Sequence, residues 1–266
     1  MDAIQRFTEN IVCTTYETLP ASALAATKTF ILDTLGVCVA GSTAPGVSAL
    51  VKLLRCWGGT PESSLCTYGG KLPAPWAAMA NSVMMHNLEF DCVHDLAVVH
   101  PFTTALPAAL AVAEAQGGVS GKTLLTAVTV GVDTSTRIGM SSRARMRFFR
   151  PGVCGAFGAT AAVAKVMGCN LETTTRAMGL VYSQLCGTLQ SHHDGRQYSK
   201  RLDAVLGSPE KPLSRTAHLH KFRRCWQHGG QPTPAGNADR IIDLVEHLED
   251  VSNIGELCRL LVPSPL

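Results

Sequence analysis

What most constrains this chain is a succession of helix-period apolar segments, opened by caps or prolines and closed by glycines. Positions 3–18 carry amphipathic helical spacing, and Leu19-Pro20 then restarts the chain, since proline suits the first turn of a helix. Leu24, Ile31, Leu35 and Cys38 recur on the spacing of a second helix that should stop near Gly41. Val47, Leu50, Val51, Leu54 and Trp57 fall on one side of a third, after Pro45. Ser64–Tyr68 is the one strand-like piece, ended by Gly69-Gly70. Helices are further expected over Pro73–Met85 and from a Thr103 or Thr104 cap to Gln116, with Pro107 in the first turn. Three more should run over Gly121–Ile138 behind Ser120, over Val153–Met167, and from an Asn170 cap to about Gly187, with Gly139 ending the first. The density of Gly and Ala in Val153–Met167 predicts close backbone approach. The expected fold class is all-α, with no internal repeat.

One stretch breaks this pattern. His86–Pro101 reads His-Asn-Leu-Glu-Phe-Asp-Cys-Val-His-Asp-Leu-Ala-Val-Val-His-Pro. It holds three of the nine histidines, with Glu89, Asp91 and Asp95, in a chain that is 46% hydrophobic and only 16% charged. Imidazoles titrate near neutrality, which is what proton transfer between side chain and substrate needs. An exposed polar loop between two helices is the bland reading of the same residues.

Length and charge bound the rest. The 266 residues suffice for one large domain or two small ones. A net charge of +3 is too mild for a nucleic-acid footprint. The ten cysteines form no Cys-x-x-Cys pair and sit singly in apolar runs, as at Cys13, Cys38 and Cys169, which points to a reducing compartment. Met-Asp-Ala-Ile-Gln-Arg lacks the basic start of a signal peptide. Lys28, Asp33, Pro107 and Glu114 interrupt the longest apolar runs, so no membrane partner is expected.

Two other polar blocks stand out. Arg143, Arg145, Arg147 and Arg150 surround Phe148-Phe149 just before a helix start. Such a cluster is either a carboxylate or phosphate site, helped by the free N–H groups there, or a solvated basic turn. Gln190–Leu202 mixes His192, His193, Asp194 and Lys200 and is a weak signal by itself.

Taken in order, these blocks resemble the MmgE/PrpD family, which includes 2-methylcitrate dehydratase, cis-aconitate decarboxylase and iminodisuccinate epimerase. The residues that carry the resemblance are Leu32–Gly41, Ala80-Asn81 leading to His86–Asp91, Val93–Asp95, His100-Pro101, Phe149–Gly158 and Gln190…Lys200-Arg-Leu. Beyond Leu202 the resemblance jumps to the family's C-terminal end, at Gly207–Ser214, Lys221–Cys225 and a final amphipathic helix from Ala238 to about Leu248. The resemblance therefore implies a multi-helix domain of MmgE/PrpD type over residues 1–202. Residues 203–266 would rejoin it after an apparent internal deletion, with the α+β lid largely absent.

Residue by residue, the family's Asp-Phe-Asp-Asp-Thr-His is similar to Glu89–His94 here, with Cys92 and Val93 replacing the third acid and the threonine. The resemblance implies His100, Asp91, Glu89 and Lys200 as catalytic residues, and Arg150, His94 and Gln190 as substrate-binding residues. Arg150 stands where the family has a histidine, and Asp203 replaces another after Lys200-Arg-Leu. The implied activity is lyase or isomerase chemistry on a small polycarboxylate, a dehydration or decarboxylation with no cofactor and no metal. His100 would be base or acid, Asp91 or Glu89 would orient it, and Lys200 and Arg150 would grip carboxylates. A homodimer in the cytoplasm, or alternatively the mitochondrion, is expected.

Two other classes remain open from the residues alone. A metal-dependent helical hydrolase would use His86, His94, Asp95 and His100 as ligands. An inactive helical relative would act through oligomerisation.

Overall fold

The computed structural model describes residues 2–142, 149–185, 212–229, 234 and 236–263. Within them the chain is all-α: eleven helices and one two-stranded hairpin. The helices are α1 (Ala3–Cys13), α2 (Ala21–Gly41), α3 (Val47–Trp57), α4 (Ala74–His86), α5 (Phe102–Ala115) and α6 (Gly121–Ser141). After them come α7 (Arg150–Val166), α8 (Leu171–Ser183), α9 (Arg215–His228), α10 (Asn237–Glu246) and α11 (Gly255–Leu260).

The fold is organised around α2. Every residue from Ile31 to Gly41 is buried, because α4, α5, α6, α9 and α10 pack around this helix. By length and composition α2 could cross a membrane, and 61% of its most apolar window is buried within the protein. Lys28 and Asp33 interrupt that apolar run. Each is paired with a residue of the C-terminal segment, Lys28 with Glu249 and Asp33 with Lys221. The helices after residue 212 thus share one apolar core with the N-terminal ones, Phe222, Trp226, Ile241 and Leu257 included.

Helices α6 and α7 cross with almost no side-chain spacer. A Cβ on Gly131 would stand 2.7 Å from the Gly158 carbonyl, and one on Gly158 equally close to that of Gly131. Close backbone approach, expected from the small residues of α7, is observed at this crossing.

Several local expectations need correction. Helix α1 ends at Cys13, and Tyr16–Thr18 is a separate 3-10 turn. The strand-like piece shrinks to β1 (Ser63–Ser64), paired antiparallel with β2 (Lys71–Leu72), which the sequence did not signal. Asn81 pins β1 to α4, accepting from the Cys66 N–H and donating to the Ser64 carbonyl. Gly139 does not end α6. It continues the helix past the loop at Ala97, whose carbonyl would lie 2.8 Å from an added Cβ.

Helix α5 starts at Phe102, two or three residues earlier than a cap at Thr103 or Thr104 would place it, and neither threonine caps it. Thr103 and Thr104 instead return their hydroxyls to the carbonyls of His100 and Pro101. Pro107 sits in the second turn, where its missing N–H would orphan the Thr103 carbonyl. The Ser82 hydroxyl of α4 supplies the replacement bond, at 2.6 Å. Polar satisfaction across α4·α5 is what lets a proline sit inside this helix.

Candidate active site

The polar loop joins the C-terminus of α4 to the N-terminus of α5, two helices that pack side by side. His86 is the last residue of α4, and a turn bond from the Glu89 N–H to the His86 carbonyl folds the chain back over it. Glu89 closes that turn with φ +49°, in the left-handed region. Farther on, His94 and Val99 pair as an isolated antiparallel bridge, with Val98 at φ +54° between them. Left-handed backbone in a β-branched residue is strained by about 1–2 kcal/mol. Packing of Ala97 and Val99 against Cys154 of α7 holds the turn in this shape.

These turns drive Asp91 inward and set two imidazoles against it. The Asp91 side chain has no exposed surface. His100 Nδ1 lies 2.8 Å from its Oδ2, and His86 Nδ1 lies 3.2 and 3.3 Å from its two oxygens. The two rings are 4.6 Å apart, tilted at 59°. Burial pushes the Asp91 carboxyl up, but hydrogen bonds from His100 and His86, with their charge, outweigh it and hold the group below the usual carboxylate range. A carboxylate only accepts, so both rings carry their hydrogen at Nδ1. The hydrogen bond to Asp91 raises the His86 imidazole above its ordinary value, against the opposing effect of burial.

That arrangement turns both Nε2 atoms outward, toward a single group. Glu89 oxygens lie 3.5 Å from His86 Nε2 and 3.9 Å from His100 Nε2. The Glu89 side chain is 63% exposed, so the outer face of the cluster is open to solutes while its inner face is closed. Chemically this is a pair of oriented proton carriers, with a buried anion stabilising the charge each gains. The same three outer groups, His86, Glu89 and His100, also have ligand atoms within 4.8 Å of one another, a spacing that could hold a metal ion.

Behind Asp91 lies a second charged layer that sequence reasoning missed. Lys221 of α9 donates to the Phe90 carbonyl at 2.7 Å, sits over the Phe90 ring, and pairs with Asp33 of α2 at 2.8 Å. Burial raises the Asp33 carboxyl, with Lys221 and His218 pulling it down and Asp91 pushing it up. The Cys92 thiol is pushed up to about 12, first by burial and then by Asp33 and Asp91. The signal available in the sequence was a lone carboxylate in the apolar Phe30–Gly41 run.

The loop's other candidates are placed differently. His94 Nδ1 accepts from the Ala97 N–H, which commits that ring to its own turn. Asp95 is exposed. Of the four ligands considered for a metal hydrolase, then, only His86 and His100 converge among the described residues, and Glu89 joins them. Arg150 opens α7, and one turn later Cys154 packs against Ala97 and Val99, so α7 presents its N-terminus beside the loop. Lys200 and Gln190 lie outside the described residues, as do Arg143, Arg145, Arg147, His192, His193 and Asp194.

Two surface cavities lie elsewhere. One, about 420 Å³, is lined by Lys71, Glu114 and Arg259 among others, and one, about 480 Å³, by Tyr16, Lys122 and Lys165. Neither includes a residue of the Asp91 cluster.

Residues 5–205 match the family model of the MmgE/PrpD N-terminal domain. The chain is similar to cis-aconitate decarboxylase of Aspergillus terreus, 29% identical over 185 residues, which cover 66% of this chain and 38% of that protein. It is also similar to the cis-aconitate decarboxylases of Mus musculus and Homo sapiens, 29% identical over 164 residues each. Those alignments cover 59% of this chain and 33% and 34% of the respective proteins. The chain thus spans only about a third to two fifths of the curated relatives it matches.

Proposed function

Because the chain belongs to the MmgE/PrpD family, we propose that the His86–His100 loop is the acid–base centre of a lyase acting on a small polycarboxylate. A cis-aconitate-like acid is the proposed substrate, since the relatives named above are cis-aconitate decarboxylases. The observation that carries this reading is the buried Asp91 held between two imidazoles whose Nε2 atoms face outward.

In decarboxylation the C–C bond to the departing carboxylate breaks as CO2 leaves. The electron pair passes into the remaining unsaturated acid, and a proton must reach carbon. His100 supplies that proton from Nε2, and the Asp91 carboxylate, bonded to its Nδ1, fixes the ring. Glu89 exchanges protons with both Nε2 atoms and with solvent, which restores the donor. Arg150, at the head of α7, grips a substrate carboxylate through its guanidinium fork, with the free N–H groups of that helix beside it. Lys200 is proposed as the second cation that holds the substrate's remaining charge.

The test is direct. The purified chain is incubated with cis-aconitate, methylcitrate and related acids, and the conjugated double bond is followed optically together with released CO2. Turnover is expected, and His100→Ala should lower it by about 10²–10⁴-fold, the usual worth of a positioned proton carrier. Turnover of none of these acids, or full activity in His100→Ala, overturns the proposal.

A second reading is favoured by one observation. Leu88, Phe90, Val93, Leu96 and Val98 in this same loop are all at least 40% exposed, with Leu96 at 77%. An apolar rim of this kind also suits assembly with a second copy of the chain. A dimer by light scattering, dissolved by Leu96→Asp and accompanied by no turnover, would favour the non-catalytic role.

A further inference from the structure

We infer that His86, Glu89 and His100 form a binding site for a first-row divalent transition metal ion, with Asp91 as the shared outer partner of both histidines. The inference stands apart from the polycarboxylate reading. Metal occupancy would take the two Nε2 lone pairs that proton transfer needs, so the ion is a competitor of that chemistry and not its cofactor.

Asp91 fixes which nitrogen of each ring faces which way. A histidine that ligates a metal nearly always donates its other ring N–H to a carboxylate or carbonyl, which fixes the tautomer and makes the ligating nitrogen more basic. Here one buried carboxylate does this for both rings at once, at 2.8 Å for His100 and 3.2 Å for His86. Both Nε2 atoms are thereby committed to the same side, where Glu89 provides the third donor. Ordinary surface histidines lack that buried anchor.

Distances agree with the assignment. Bonds of about 2.0–2.1 Å in a tetrahedral shell place neighbouring donors about 3.4 Å apart. One Glu89 oxygen lies 3.5 Å from His86 Nε2 and the other 3.9 Å from His100 Nε2, and one donor atom from each residue falls within 4.8 Å of the other two, so the three donors close inward by about an ångström on binding. Glu89 is exposed and long enough to supply the remaining adjustment. Its backbone is tethered, because Lys221 holds the next carbonyl, at Phe90, and the turn bond to His86 holds the Glu89 N–H itself.

Donor chemistry selects the ion. Two neutral imidazoles and one carboxylate suit Zn2+, Co2+, Ni2+ or Fe2+ better than Mg2+ or Ca2+, which prefer oxygen shells. With three protein donors, the open side of the cluster leaves a position for water.

Cobalt(II) titration of the full chain tests this, read by d–d absorption with zinc displacement as the second measurement. One equivalent of Co2+ should bind with a spectrum of nitrogen and oxygen ligands, and Zn2+ should remove it. His86→Ala and His100→Ala should each lose the band, while circular dichroism confirms that they fold. Asp91→Asn removes no ligand and should weaken binding by about 10–100-fold, the usual effect of removing an outer partner. The inference is overturned by no bound Co2+, by a band that survives both histidine variants, by sulfur-to-cobalt charge transfer, or by an Asp91→Asn affinity equal to that of the parent.

Discussion

Lys221→Met should unfasten the candidate site from behind, and its cost can be worked from burial. Methionine keeps the length and apolar stem of lysine and removes the ammonium. The Asp33 side chain is 5% exposed and that of Lys221 20%, so the pair is largely withdrawn from water. Removing one partner of such a pair leaves an uncompensated buried charge and costs about 3–5 kcal/mol. At about 2–4 °C per kcal/mol, the midpoint of thermal unfolding should fall by about 6–20 °C. Asp33→Asn on top of Lys221→Met removes the stranded charge and should recover most of the loss, a coupling near the top of the usual 0.5–3 kcal/mol range.

Acidity supplies an independent signature. The groups around Asp33 are Lys221, His218, Asp91 and Cys92, and burial already lifts its carboxyl above the ordinary range. A carboxyl raised on folding contributes stability below its unfolded value and loses it as pH rises through the folded value. Removing Lys221 lifts Asp33 further. The stability deficit of Lys221→Met should therefore be greatest at neutral pH and shrink as pH is lowered through the carboxyl range. Urea denaturation of the four proteins of this cycle at several pH values measures both effects. A coupling below about 0.5 kcal/mol, or a deficit independent of pH, would refute the reasoning.

Three further outcomes are expected. Asp91→Asn should reduce any polycarboxylate turnover by at least about 10²-fold with little change in circular dichroism, because the imidazolium loses its stabilising anion; unchanged kcat removes Asp91 from the site. Ser82→Ala should cost about 1–3 kcal/mol in chemical denaturation by stranding the Thr103 carbonyl, and Pro107→Ala, which restores an N–H at that turn, should offset part of it. Gly139→Ala places a Cβ 2.8 Å from the Ala97 carbonyl and should cost about 1–3 kcal/mol while lowering turnover, since the displaced segment carries His100; a neutral result in both assays would contradict the close approach.

Much of the helix plan was legible because it is local. Apolar spacing identified α2, α3, α4 and α6 to within a few residues, and Ser120 and Asn170 cap their helices as their hydrogen-bonding side chains imply. Misreadings came where a distant group intervened. Pro107 sits deeper in α5 than local rules favour because Ser82, from another helix, satisfies the carbonyl it orphans. Gly139 reads as a helix end, yet it serves an approach to Ala97 more than forty residues upstream. The two-residue strand β2 has no pattern of its own and exists through pairing with β1.

For the site, composition located the loop but not its geometry. A dense run of histidines and acids in an apolar chain marks residues 86–101, and the family resemblance singles out Asp91 and His100 among them. Nothing in the spacing separates His94, turned onto the Ala97 N–H, from His86 and His100, turned onto Asp91. That choice is made by the left-handed turns at Glu89 and Val98 and by where α4 ends relative to where α5 begins. Likewise Lys221 reads as one more cation on a basic helix until folding lays α9 along α2 and brings it to Asp33 and Phe90. The sequence by itself determined which elements form and where charge is concentrated, because propensity and periodicity act within a few residues. Tertiary structure alone decided which nitrogens share a carboxylate and which lysine supports them, because the first depends on how α7 and the helix ends fold the 86–100 loop and the second joins residues more than a hundred positions apart.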